Sequence, residues 1–103
     1  MFNKQWQDYR LSPQADTDID GIWHYTREHW GEAQADAYVH EILRALRGLV
    51  SGEKLAIPCD SVVGYQKLIV GAHMAFFRFD PPYIEVVRIL HQQMDSPKQL
   101  RND

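Results

Sequence analysis

Four side chains in the second half of the chain could do chemistry: His91 and the bases Lys67, Arg78 and Arg88. His91 is an imidazole whose ordinary titration falls near neutrality, which suits it to proton transfer. Arg78 and Arg88 each interrupt an apolar run, where an unpaired charge is costly. Each must therefore face an open sheet surface or pair with a carboxylate such as Asp80 or Glu85. Gathered with Lys67 and His91, they could form a small positive patch for RNA phosphates or for an acidic protein surface. A lone imidazole with no partner legible in the sequence is weak ground for catalysis.

Other constellations carry less. His24, His29 and His40 are spaced by 5 and 11 residues, not by the i, i+4 step that brings two imidazoles to one helix face. With one cysteine and no CxxC or HExxH, neither a metal site nor a cofactor is expected. Asp16, Asp18 and Asp20 alternate like an ion loop, but Ile19 and Ile22 carry a helical stripe through them and no glutamate closes the loop. They read as a solvated helix face. Trp23, Tyr25, Trp30 and Tyr38 read mostly as core, with the alternative that some line a groove for a partner.

The elements that must position these residues form one domain, 1–103, since 103 residues suffice for one core. At 45% apolar and 24% charged, the composition is that of an ordinary globular protein. Nothing approaches the apolar length that crosses a bilayer, the N-terminus has no secretory h-region, and the single Cys59 fits a reducing compartment. Residues 1–60 carry ten acids against six bases, and 61–103 four against five. Nowhere is there the broad basic patch that non-specific nucleic-acid binding requires.

The chain is organised around His73–Asp95, two aromatic-rich runs flanking Asp80-Pro81-Pro82, the pattern of a strand hairpin. Its second run passes into Arg88, His91, Gln92, Gln93 and Asp95, which places polar side chains at a sheet margin. Ahead of it, Gln5–Leu11 reads as a strand. Ser12-Pro13 reads as a helix start, and Gly31 as its stop. A second helix runs from about Glu32 to Val50, so the two form a helical hairpin. Residues 51–64 read as irregular, 65–70 as a strand, Gly71-Ala72 as a tight turn, and 96–103 as a polar tail with no reason to be rigid. The expected architecture is α+β: a helical hairpin packed on a small, mainly antiparallel sheet in the order β-α-α-β-β-β.

Three segments in this order resemble the ParE toxins of the RelE/ParE superfamily of type II toxin–antitoxin systems: Tyr9–Leu43, Gly64–Phe79 and Ile84–Asp95. The stretches SPQADTDIDGIW, WGEAQA and RILHQQMD carry most of it. The resemblance implies a bacterial cytoplasmic toxin that poisons DNA gyrase by protein contact, with no catalytic residues, neutralised by a ParD-like antitoxin laid across its surface. On that reading Arg88, His91, Gln92, Met94 and Asp95 are the gyrase-contact candidates, and Trp23, Trp30 and Phe77 the antitoxin-contact candidates. The related RelE toxins cut messenger RNA on the ribosome. Where they place an arginine at the start of the third strand, this chain has Met74. Where they place basic or tyrosine side chains near the last strand's end, it has His91 and Gln92. The loop CDSVVGY, where some carry lysines, has no base. Without several positive groups the phosphate of an RNA-cleavage transition state lacks stabilisation, which favours a gyrase poison. The alternative is an RNase with His91 as acid or base and Arg78, Arg88 and Lys67 on the phosphate, or a non-toxic binding module of the same fold.

Overall fold

The computed structural model describes residues 6–60, 62–93 and 100. Its elements are β1 (Asp8–Leu11), α1 (Pro13–Trp30), α2 (Glu32–Ser51), β2 (Ile57–Pro58), β3 (Gln66–Val70), β4 (His73–Asp80) and β5 (Tyr83–His91). The expected order holds with one addition, the two-residue β2 inside the stretch read as irregular. The strands make one sheet in the order β1-β5-β4-β3-β2. β1 runs parallel to β5, and every other pairing is antiparallel. A parallel pair needs a long crossover, and the α1–α2 hairpin is part of that crossover.

Local chemistry sets the boundaries. The Ser12 hydroxyl accepts the Ala15 N–H at 3.0 Å and donates to the Val87 carbonyl at 2.7 Å, so one side chain starts α1 and ties it to β5. Gly31, at φ 95°, ends α1 by donating its N–H to the Arg27 carbonyl. The β3–β4 turn depends on Gly71, at φ 56°, where an added Cβ would lie 2.7 Å from the Tyr38 hydroxyl. Any other residue there meets both a left-handed backbone and a collision.

Between β4 and β5 the register shifts at Phe76/Phe77: Phe76 pairs with Arg88 and Phe77 with Val86, so Val87 is the extra residue of a bulge. Both faces of the hairpin are covered around Ala75–Phe77 and along most of β5, which explains its nearly unbroken apolar runs there. Ile19, Ile22, Ile42, Leu46, Phe77 and Val86 meet between helices and sheet. A second cluster joins Cys59, Phe76, Leu90 and Leu100. The stretch read as a polar tail with no reason to be rigid thus contributes Leu100, 2% exposed, to this cluster. No helix among the described residues is long and apolar enough to cross a membrane.

Two expectations about aromatic residues are corrected. Phe77, an antitoxin-contact candidate, is fully buried, because its place in the ladder points it under the helices. Tyr25 and Trp30, read as core, are 58% and 65% exposed. The stripe that α1 buries is Ala15, Ile19, Ile22 and Thr26, and its last turn borders a groove instead of packing on the sheet.

Candidate functional site

The positive patch that the sequence allowed is largely spent on ion pairs. Arg78 Nε donates to Glu85 Oε1 at 3.2 Å, as the sequence allowed. Arg88 takes neither Asp80 nor Glu85; Nε and Nη2 donate to the two oxygens of Asp18 at 2.8 and 3.0 Å. Asp18 is therefore not part of a solvated helix face. Its side chain is 15% exposed, and one oxygen also accepts the Ile89 N–H at 2.9 Å. Asp80 pairs with Arg10 at 2.6 Å, and that guanidinium lies 4.4 Å above the Tyr83 ring. Lys67 stands on the same rung of the sheet as Arg88, with Phe76 between them.

His91 does have a partner. The bulge brings it opposite His73, with ring centroids 5.4 Å apart in a T-shaped arrangement. His73 Nδ1 lies 2.7 Å from the Tyr38 hydroxyl, which also accepts the Ala72 N–H at 3.1 Å. Burial holds the His73 imidazole below its ordinary pKa, the neighbouring His91 pushes the same way, and Asp18 opposes them. Burial also raises the Tyr38 phenol, against the Ala72 hydrogen bond, with Glu41 adding to the rise. The Tyr38 O–H donates to His73 Nδ1 where that nitrogen is unprotonated, or else to the Val70 carbonyl at 3.3 Å; a protonated His73 Nδ1 donates to the hydroxyl instead. His91 Nδ1 accepts the Gln93 N–H at 3.1 Å.

These groups line one end of a groove of about 790 Å³ between α1, the start of α2, the β3–β4 turn and the end of β5. Ile22, Tyr25, Trp30, Ile89 and Leu90 make its apolar walls. Tyr25 stacks on His29 at 4.0 Å, leaving Trp30 beside them on the rim.

The structure sorts the remaining candidates. Trp30 borders the groove, whereas Trp23 is half-buried and donates its indole N–H to Asp36 of α2 at 2.8 Å. Gln92 braces the β3–β4 turn, donating its side-chain amide to the Gly71 carbonyl at 2.9 Å and its N–H to the Ala72 carbonyl at 3.0 Å. Met94 and Asp95 lie outside the described residues. Tyr38, read from the sequence as core or groove lining, does line the groove, whereas its partner His73 escaped sequence reading. Counting outward from the Asp80–Tyr83 rung sets His73 against Leu90, and only the bulge moves it to His91.

The arrangement of two helices on a five-stranded mixed sheet is shared with chains of solved toxin–antitoxin systems. A chain of the chromosomal ParDE system of P. aeruginosa superposes with a TM-score of 0.73 at 22% identity, covering 86% of this chain and 98% of that one. A chain of the Mycobacterium tuberculosis RelBE2 toxin–antitoxin complex superposes at 0.61 and 15% identity, covering 85% and 99%.

The sequence narrows the class. Residues 9–96 match the family described as ParE toxin of type II toxin-antitoxin system, parDE. Toxin ParE1 of Mycobacterium tuberculosis is 37% identical over 94 residues, 89% of this chain and 96% of that protein. Toxin ParE1 of Caulobacter vibrioides is 32% identical over 93, with the same coverage. The chain belongs to the ParE toxin family and is a ParE-type toxin of a toxin–antitoxin system.

Proposed function

We propose that this toxin acts on DNA gyrase in the bacterial cytoplasm by protein contact, without catalysis, and that a ParD-like antitoxin silences it. The observation that carries this reading is the pairing of Arg78 with Glu85 and of Arg88 with Asp18. Cations held against carboxylates are poor ligands for the extra charge of a phosphodiester transition state. The gyrase surface is the exit of β5, comprising His91, the margin around Arg88 and Gln92, and Met94 and Asp95 beyond. Trp30 is the antitoxin contact retained from the sequence.

The His73–His91 pair gives the RNase reading its one support, since two adjacent imidazoles could share acid and base roles. Induction without antitoxin separates the two. Gyrase poisoning yields filamentation and cleaved gyrase–DNA complexes in a supercoiling assay. RNA cleavage on ribosomes with gyrase untouched would overturn the proposal.

A further inference from the structure

The interior of α1 contains a glycine for which the folded chain has no use. Gly21 lies within Pro13–Trp30, and a Cβ built on it would meet nothing within 4 Å. A glycine inside a helix costs about 1 kcal/mol relative to alanine. Gly48 of α2 is different, since a Cβ there would lie 2.6 Å from Lys54 Cγ. Gly21 instead opens into the groove, beside Ile22, Tyr25 and Trp30.

The opposite wall excludes one kind of occupant. β1 pairs with β5 only as far as Val86, and beyond it a bare strand edge would invite a partner strand. Here α1 closes that edge: Ser12 fills the Val87 carbonyl and Asp18 takes the Ile89 N–H. A segment entering the groove finds side chains to pack on and must satisfy its own backbone hydrogen bonds, as a helix does. Charge points the same way. Besides Asp18, which Arg88 holds, residues 13–38 carry five carboxylates, Asp16, Asp20, Glu28, Glu32 and Asp36, against the single base Arg27.

We propose that Gly21 determines antitoxin capture: an amphipathic helix of the antitoxin, apolar towards the groove and basic at its flanks, makes its closest approach over Gly21 between Tyr25 and Trp30. This rests on the reading of the chain as a toxin silenced by an antitoxin. The small residue that weakens the free toxin admits its partner.

The test compares Gly21→Ala and Gly21→Leu in the full chain, each paired with the cognate ParD-like antitoxin. Gly21→Ala is expected to raise the unfolding midpoint of the free toxin while weakening antitoxin binding about tenfold. Gly21→Leu is expected to kill cells that antitoxin co-expression no longer rescues. Native-strength capture of Gly21→Leu would overturn the proposal, as would a Gly21→Ala toxin less stable than the parent. A toxin dimer abolished by Gly21→Leu would also overturn it, by making a second copy the occupant. If only the gyrase reading is wrong, unrescued killing persists but leaves no gyrase–DNA complexes.

Discussion

Asp18 and Arg88, 70 residues apart in the chain, meet through two hydrogen bonds of 2.8 and 3.0 Å. The same carboxylate caps the Ile89 N–H. One side chain of α1 thus fixes a strand edge, a guanidinium and the distance between helix and sheet. The pair is well shielded, at 16% and 15% side-chain exposure. A shielded pair adds little over an apolar substitute, but removing one partner strands the other.

Asp18→Ala is accordingly expected to cost about 2–4 kcal/mol in urea unfolding. Asp18→Asn should cost less, because its amide oxygen can still accept the Ile89 N–H. A loss below about 1 kcal/mol for Asp18→Ala would mean that the carboxylate does not organise the edge of β5.

Both residues stand in sequence stretches that carry the family resemblance, Asp18 in SPQADTDIDGIW and Arg88 in RILHQQMD. Their partnership was nonetheless illegible, because helical spacing identifies a face and not what covers it. Element order was legible: Ser12, Gly31 and Gly71 mark their boundaries with residue types that caps and turns favour. The His73–His91 rung was not, since one bulged residue shifts the register without leaving a trace in composition. Nor does periodicity reveal one leucine in a polar tail.

His73 makes stability depend on pH. Its folded pKa is depressed, chiefly by burial, so the unfolded chain binds the proton more readily. The contribution is complete above the ordinary value of about 6.5 and is lost as pH falls through the folded pKa. Denaturation midpoints of the native chain should therefore decline from about pH 7.5 to about pH 5, and His73→Gln should flatten that decline. The imidazole resonances of His73 should titrate below those of an exposed histidine. An unchanged slope in His73→Gln would assign the acid limb to other groups.

Leu100 changes how the exit of β5 must be probed. Truncation after Ile89 removes Leu90 and Leu100, each 2% exposed and both in the cluster around Phe76. Burying one leucine contributes about 1.5–3 kcal/mol, so that truncation is expected to unfold a large fraction of the chain and cannot isolate a contact surface. Leu100→Ala in the full chain removes the packing and keeps Met94 and Asp95. It should lower stability by about 2–3 kcal/mol yet preserve gyrase–DNA cleavage complexes at permissive temperature. Met94→Ala with Asp95→Ala keeps Leu100 and should abolish those complexes without moving the unfolding midpoint. If Leu100→Ala abolishes cleavage complexes while the double substitution leaves them intact, the active surface is the far face of the sheet around Phe76 and not the exit of β5.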